Sequence, residues 1–215
     1  MQYKALFYDR ELSWLHFNDR VLSEGMNADN PLLERAKFLS IVSSNLDEFF
    51  MVRVGKLERK IDAGITRPDP AGLIPAVQLK LIRKAVGAQV KRQYHALSRD
   101  LLPALREEGL YLLHPEELEH DQRGWLQQYF AAQVMPVLTP RTINPQQTFP
   151  ILTAKSLYIA VLLQSDKGGM PQLALIPVPR VPGRVVMLPM GAGRARGILL
   201  EDVIMMFLPS IFMHM

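Results

Sequence analysis

Apolar residues recur at intervals of three or four in the first part of the chain, which predicts amphipathic helices. Ser13 is the expected N-cap of the first helix, because a serine oxygen there can accept a backbone hydrogen bond. The predicted apolar stripe of this helix consists of Trp14, Phe17, Val21 and Leu22. Asp29-Asn30-Pro31 interrupts the pattern, and a second helix is expected to start at the proline. Its apolar residues are Leu32, Leu33, Ala36 and Leu39.

A third helix is predicted to start near Asn45. Asn45 and Glu48 have the spacing of a capping box, and Leu46, Phe49, Phe50, Leu57 and Ile61 follow at helical intervals. Prolines and glycines between Gly64 and Pro75 predict a loop. A long helix over Pro75–Leu102 should follow, with apolar residues every three or four positions. Since helices gain most of their stability from packing the apolar stripe, these segments are expected to form a bundle.

The pattern changes after Pro103. One more helix is predicted over Glu116–Met135, followed by a loop over Pro136–Pro150. Strand-like apolar runs separated by Gly and Pro turns then cover Leu157–Leu163, Gln172–Val178 and Val185–Leu188, and Leu199–Phe212 is predicted to be helical. The sequence therefore predicts an α+β fold. An all-α helical bundle over residues 1–105 precedes a smaller α/β domain over residues 106–215.

Positive charge is concentrated in one part of the chain. Residues 51–106 contain twelve Lys and Arg against four Asp and Glu, a local charge of +8 in a chain of net charge +4. Such a segment is either a solvated helix face or a surface that attracts a polyanion, such as nucleic acid, anionic lipid, a nucleotide or polyphosphate. Nucleic acid is disfavoured, because the basic residues lack interleaved aromatic residues and no DNA-binding motif is present.

Several kinds of chemistry are absent from the sequence. Without cysteine the chain has no disulfide and no Cys-ligated metal, as expected of a cytoplasmic protein. No signal peptide is predicted, because Met1–Arg10 has no apolar core and no small-residue cleavage site. No membrane span is predicted either, because the longest apolar run is far below the ~18–20 residues that a span needs. P-loop, H-E-x-x-H and G-x-S-x-G motifs are missing, and the five histidines lack ligand spacing. No catalytic residue and no metal ligand is therefore predicted in this chain.

Two features have two interpretations each. Gly191–Gly197 contains Arg194 and Arg196 among glycines, which is typical of a flexible basic connector but also of a phosphate contact. Asn45 is either an ordinary N-cap or an amide that binds the edge of a purine base.

Three stretches carry a specific resemblance. They read ELSWLHFNDRVLSEG from Glu11, NPLLERAKFL from Asn30 and SSNLDEFFMVRV from Ser43. The residues of these stretches and their order resemble the N-terminal sequence of the polyphosphate kinase family, with Gly25 in place of the usual alanine. Shorter stretches resemble the second, or head, domain of that family: Pro136–Pro140, Ile176–Arg180 and Leu199–Ile204.

The resemblance implies a function. Polyphosphate kinases reversibly transfer the terminal phosphate of ATP to inorganic polyphosphate, through a phosphohistidine and with magnesium. The helical domain would help to hold ATP, with Asn45 at the ATP site, and the head domain would contribute dimer contacts, so a homo-oligomer is expected. The basic residues between Arg53 and Arg106, among them Lys80, Arg83 and Lys84, could guide polyphosphate electrostatically.

The same resemblance predicts that this chain is catalytically inactive alone. In the polyphosphate kinase family, the catalytic histidines and the magnesium ligands belong to C-terminal domains of the phospholipase D type. These domains are expected to lie outside this chain. The apolar residues at 205–215 also suggest a chain cut short or buried against a partner. The alternative is a non-catalytic module that binds ATP or polyphosphate, or that dimerises.

Overall fold

A computed structural model of the chain describes residues 7–144, 146, 148–164, 170–189 and 194–212. The chain forms two compact units, Met1–Glu107 and Glu108–Met215. The first is helical and the second combines short helices with small sheets, so the predicted α+β fold is confirmed.

The first unit consists of helices joined almost without interruption. Helix α1 spans Arg10–Met26 and α2 spans Leu32–Glu48, and a π-helical segment, Phe49–Val54, carries α2 directly into α3, Gly55–Asp62. After the predicted loop, α4 spans Pro75–His95. A second π-helical segment, Ala96–Leu101, joins α4 to α5, Leu102–Glu107.

Asp9, not Ser13, caps α1. Asp9 has an extended backbone conformation, and its Oδ1 accepts a hydrogen bond of 2.7 Å from the Leu12 backbone N–H. Ser13 lies inside the helix, where its N–H bonds to the Asp9 carbonyl. The carboxylate satisfies one of the N–H groups that a helix start leaves unpaired. At the second helix Pro31 is the N-cap itself, so α2 starts one residue later than predicted.

The predicted helix start at Asn45 is wrong. Helix α2 passes through Asn45, whose backbone carbonyl accepts from the Phe49 N–H in the ordinary helical pattern. The physical reason is that Leu39, Val42 and Leu46 continue one buried stripe through this stretch. Packing of that stripe outweighs the local preference of Asn for a cap.

The core of the first unit lies between α1, α2 and α4. Its fully buried side chains include Leu22, Val42, Phe49, Ile82 and Leu101. Trp14 stacks on Phe49 with ring centroids 4.6 Å apart. Phe17, which was predicted on the apolar stripe of α1, is instead 47% exposed, because the buried face runs through Leu15, Asn18, Leu22 and Gly25.

The second unit contains two three-stranded sheets. Strand β1 (Leu110–Leu113) pairs in parallel with β6 (Ala195–Leu199), which pairs antiparallel with β5 (Val185–Met187). In the other sheet, β4 (Gln172–Pro177) lies between β2 (Arg141–Ile143) and β3 (Tyr158–Leu163), antiparallel to both.

Short helices cover these sheets. Helix α6 spans His120–Tyr129, later than the predicted start at Glu116, because Pro115–Glu117 forms a separate 3-10 turn. A π-helical segment, Phe130–Val134, and a 3-10 turn, Met135–Val137, continue it. Helices α7 (Leu200–Met206) and α8 (Leu208–Phe212) form the end of the described chain. The core of this unit includes Leu126, Phe130, Ile176, Ile198, Leu200 and Ile204.

Strands β1, β2 and β6 were not predicted. The first two have four and three residues, too short to show an alternating pattern. Strand β6 starts inside the stretch predicted as a flexible connector: Gly191–Gly193 lie outside the described residues, but Ala195–Gly197 are strand. Of the described helices, none combines the length and apolar composition that crossing a membrane requires.

Candidate functional site

Asn45 lies on α2 with its side chain half-buried. Its Nδ2 donates a hydrogen bond of 2.9 Å to Oδ1 of Asn18 on α1. The amide is thus held by a tertiary contact rather than by a helix cap. This corrects the N-cap interpretation and leaves the base-binding interpretation as a proposal.

Asn18 is fully buried, and its side chain forms hydrogen bonds that connect α1 to α4. Its Nδ2 donates to Gln89 Oε1 at 3.0 Å and to the Val42 carbonyl at 3.4 Å. Gln89 Nε2 in turn donates to Asp19 Oδ1 at 3.2 Å and to the Leu15 carbonyl at 3.5 Å. We call Asn45, Asn18 and Gln89 the amide chain.

The amide chain ends at an ion pair. Asp19 accepts from Arg92 of α4 in addition to Gln89. A second buried amide, Gln93, lies one turn further along α4 and is not part of the amide chain. Its Nε2 donates to the Leu39 carbonyl and to Ser43 Oγ, both at 2.7 Å.

A separate cavity of about 680 Å³ lies beside the start of α1. Four basic residues line it, Arg10, Arg53, Lys56 and Lys60, together with three acidic residues, Asp9, Glu11 and Asp69. Glu11 forms ion pairs with Arg53 at 2.9 Å and with Arg10 at 3.1 Å. Lys56 and Lys60 lie exposed, one helical turn apart on α3. Asn45 does not line this cavity.

Asp9, which lines that cavity, has a raised pKa. It is 4% exposed, and burial raises the pKa of its carboxyl above the usual 3.8. Hydrogen bonds from Leu12 and Gln78 oppose this rise in pKa, whereas the adjacent Asp69 adds to it. Two carboxyl groups in contact favour the neutral form of one of them.

Some of the basic residues predicted to guide polyphosphate lie on α4. Lys80, Arg83 and Lys84 are exposed, and their spacing places them on one face of the helix. Arg83 forms an exposed ion pair of 3.4 Å with Glu58 of α3.

The two arginines of the Gly191–Gly197 stretch have contacts inside the second unit. Arg196 lies on β6, and its Nη1 is 2.7 Å from Glu119 Oε1. The Arg194 guanidinium lies 5.8 Å from the centroid of the Tyr111 ring. The connector interpretation is therefore wrong for residues 195–197, where a strand and an ion pair fix the backbone.

The described residues contain no arrangement typical of a metal site. Among them, no group of three or more His, Cys, Asp or Glu side chains is arranged to hold an ion. His16 Nε2 forms a hydrogen bond of 2.7 Å with the Tyr8 hydroxyl, and His214 lies outside the described residues. The described residues thus do not by themselves form a magnesium site.

Sequence reasoning singled out Asn45 as a candidate but did not identify the residues connected to it, Asn18, Gln89 and Asp19. A signal was present, because Asn18 falls at helical spacing between Leu15 and Leu22, where an apolar residue is expected. A polar residue at a core position is a sign of a buried hydrogen-bond network.

Comparisons with known proteins show which family the chain resembles. The model of the polyphosphate kinase N-terminal domain matches residues 7–113, and that of the polyphosphate kinase middle domain matches residues 121–215. The chain belongs to the polyphosphate kinase family.

Relatives agree with this assignment. The polyphosphate kinase of Bacillus cereus is 44% identical over 213 residues, covering 97% of this chain and 30% of that protein. That of Exiguobacterium sibiricum is 45% identical over 208 residues, with 96% and 29% covered. The crystal structure of polyphosphate kinase from Porphyromonas gingivalis matches with a TM-score of 0.78 and 31% identity, covering 94% of this chain and 31% of that one. The chain thus spans about 30% of the length of the curated relatives it matches.

Proposed function

We propose that this chain forms the nucleotide-holding part of a polyphosphate kinase, which reversibly transfers the terminal phosphate of ATP to inorganic polyphosphate. Asn45 is the residue that contacts the nucleotide. The observation that carries the proposal is the position of Asn45 in the SSNLDEF stretch, within the match to the N-terminal domain of the family. A half-buried amide held on one side by Asn18 has its other side available for a ligand.

The chemistry itself is assigned to residues outside this chain. A phosphohistidine requires a histidine oriented by partners, and phosphoryl transfer requires cations around the developing charge. Nucleophile, magnesium ligands and most phosphate-binding arginines would come from further domains. The second unit would supply contacts to another copy in a homo-oligomer, and the cytoplasm, where ATP is available, is the proposed location.

Polyphosphate would approach along the basic face of α4. Lys80, Arg83 and Lys84 project into solvent from consecutive turns, so their charges reach a polyanion before any specific contact forms.

Phosphate transfer from labelled ATP to a polyphosphate primer tests the proposal. The chain is assayed with magnesium, first alone and then mixed with the C-terminal part of a related polyphosphate kinase. We expect no product alone, product on mixing, and a higher KM for ATP when Asn45→Ala is used. Asn144→Ala is the control, because Asn144 is an exposed asparagine of the second unit.

Other outcomes are equally informative. Product from the chain alone would contradict the assignment of the catalytic residues to other domains. If the chain bound ATP saturably but gave no product, either alone or in the mixture, a non-catalytic ATP- or polyphosphate-binding module would be favoured instead. An unchanged KM in Asn45→Ala would remove Asn45 from the nucleotide site.

A further inference from the structure

The direction of every hydrogen bond in the amide chain is fixed by its inner end. A side-chain amide can turn by half a revolution and exchange its donor and acceptor, so its orientation depends on its neighbours. Asp19 and the Leu15 carbonyl face Gln89, and both of these groups only accept. The Gln89 nitrogen must therefore face them, which directs Gln89 Oε1 towards Asn18.

The orientation of Gln89 in turn determines the orientations of Asn18 and Asn45. Asn18 faces the Gln89 oxygen and the Val42 carbonyl, two acceptors, so its nitrogen must face both. Its oxygen is left for Asn45, which must then donate through Nδ2. The Arg92 ion pair holds Asp19 in its accepting role at the start of this sequence of bonds.

The outer end of the amide chain is consequently an acceptor. With Nδ2 of Asn45 directed at Asn18, Oδ1 is the atom presented away from the core. In the described part of the chain, no buried side-chain nitrogen or oxygen lacks a hydrogen-bond partner, which agrees with an Oδ1 that is open to solvent. An unsupported asparagine could turn either group towards a ligand, whereas in this one Asn18 engages one N–H of Nδ2 and fixes Oδ1 as the outward-facing acceptor.

We propose that Asn18 is a positioning residue that holds Asn45 with its oxygen outward, so that the site selects a purine with an amino group over one with a carbonyl. The inference rests on the proposed contact between Asn45 and the nucleotide. Adenine carries a donor at its exocyclic amino group, whereas hypoxanthine carries an acceptor at the same position. Asn45 Oδ1 accepts a hydrogen bond from the first and meets a second acceptor in the other.

Burial makes the selection sharp. Asn18 and Gln89 are at most 3% exposed, so turning the Asn45 amide would leave buried acceptors facing each other. The penalty for unpaired buried groups exceeds the net gain from one ordinary hydrogen bond. Discrimination thus originates in residues that do not touch the nucleotide.

The test compares ATP with inosine triphosphate in titrations of the full 215-residue chain. We expect the wild type to bind ATP about tenfold more tightly than inosine triphosphate, on the scale of one hydrogen bond gained and one acceptor clash avoided. Asn18→Leu should reduce this ratio below about threefold, because the Asn45 amide can then turn to suit either base. Affinity for inosine triphosphate should rise in this variant, which a merely structural defect would not produce.

Two further variants control for damage to the fold. Gln89→Leu removes the next member of the amide chain and should lower the ratio to an intermediate value, since the Val42 carbonyl still faces Asn18. Gln93→Leu removes another buried amide of α4, outside the amide chain, and should leave the ratio unchanged. Thermal melting of each variant shows that the compared proteins are folded.

A nucleotide-free measurement tests the orientation directly. A scalar coupling across the hydrogen bond from Asn45 Nδ2 to Asn18 Cγ is expected in the NMR spectrum of the wild type. A coupling in the opposite sense, from Asn18 Nδ2 to Asn45 Cγ, would overturn the inference even if Asn18→Leu failed to fold.

The failures of the two proposals are distinguishable. If Asn45→Ala leaves ATP affinity unchanged, the nucleotide contact at Asn45 is wrong. If Asn45→Ala weakens ATP binding but Asn18→Leu keeps the wild-type ratio, the contact stands and the role of Asn18 is overturned. A wild type that prefers inosine triphosphate, or binds both equally, would also overturn it.

Discussion

Gln78 Nε2 lies 2.5 Å from Asp9 Oδ2, so the residue that caps α1 is also bonded to α4. The other oxygen of Asp9 accepts from the Leu12 backbone N–H. The Asp69 carboxylate, from the loop between α3 and α4, lies next to Asp9 and itself accepts from the Leu73 N–H. One buried carboxyl therefore joins a helix start, a second helix and a loop.

Replacing Asp9 by asparagine should stabilise the helical unit increasingly as the pH rises. The pKa of Asp9 is raised in the folded chain, so the folded state binds the proton more tightly than the unfolded state. The stabilisation that this group contributes to the free energy of unfolding is therefore complete at pH values below 3.8, the ordinary pKa of the carboxyl. It is lost as the pH rises through the higher pKa that the group has in the folded chain. In Asp9→Asn this loss disappears, while the N-cap is retained because asparagine caps as well as aspartate.

Urea denaturation at a series of pH values measures this difference. Trp14 and Trp125 are the two tryptophans of the chain, one in each unit, so a Trp125→Phe background makes Trp14 fluorescence report on the helical unit alone. Asp9→Ala is the comparison, because it removes both the charge and the cap and should cost roughly 1 kcal/mol at acidic pH. A constant difference between Asp9→Asn and wild type across the pH range would contradict the raised pKa.

Much of the helical unit could be predicted because its signals are local. The break at Asp29-Asn30-Pro31, the loop before Pro75 and the long α4 all follow from Pro, Gly and helical periodicity. The helix start at Asn45 could not be excluded from sequence, because a capping pattern is local and the buried stripe that overrides it is tertiary. Strand β6 was missed for a similar reason, since its pairing with β1 joins residues far apart in the chain.

The candidate site was only partly predictable. Asn45 was singled out by its motif, but its orientation depends on Asn18, Gln89 and Asp19, which come from two other helices. A polar residue within an apolar stripe indicates that a buried partner exists. Only the folded structure shows which partner it is and which atom donates.

Gly25→Ala should destabilise the helical unit. A Cβ at Gly25 would lie 2.8 Å from Leu39 Cδ2 and 3.3 Å from the Arg35 carbonyl oxygen. Overpacking of about 1–3 kcal/mol should outweigh the helix propensity of alanine, about 1 kcal/mol, to give a net loss of about 1 kcal/mol. The free energy of unfolding of single and double variants with Leu39→Ala measures the effect.

The Leu39→Ala background should remove most of the cost of Gly25→Ala, since the clashing methyl group is then absent. Gly87→Ala is the matched control, because a Cβ at this exposed helical position would enter open space among the described residues. It should stabilise α4 by about 0.5–1 kcal/mol. Additive effects of Gly25→Ala and Leu39→Ala would show that the two residues do not clash.

Phe49→Ala should destabilise the helical unit far more than Phe50→Ala. Phe49 is 1% exposed and stacks on Trp14, whereas its neighbour Phe50 is 38% exposed. We expect a loss of about 3–5 kcal/mol for the buried residue and less than about 1 kcal/mol for the exposed one. Denaturation curves give both values, and a red shift of Trp14 emission in folded Phe49→Ala would report the lost stack. Equal losses would contradict the observed packing.

Neutralising the basic face of α4 should weaken polyphosphate binding and reduce its dependence on salt. A polyanion that binds Lys80, Arg83 and Lys84 releases its condensed counterions, so the logarithm of the affinity falls with the logarithm of salt concentration in proportion to the charges engaged. The glutamine triple variant should bind roughly tenfold more weakly at low salt and show a shallower slope. Arg83 should contribute least, because Glu58 already neutralises part of its charge.

The control must lower the net charge by the same amount elsewhere. Exposed basic residues that lie away from α4 in sequence serve this purpose: Arg20, Lys37 and Arg180. If polyphosphate were attracted by net charge alone, both triple variants would lose affinity equally. A loss confined to the α4 variant would place the contact on that face, and unchanged affinity and slope in the α4 variant would remove α4 from the polyphosphate path.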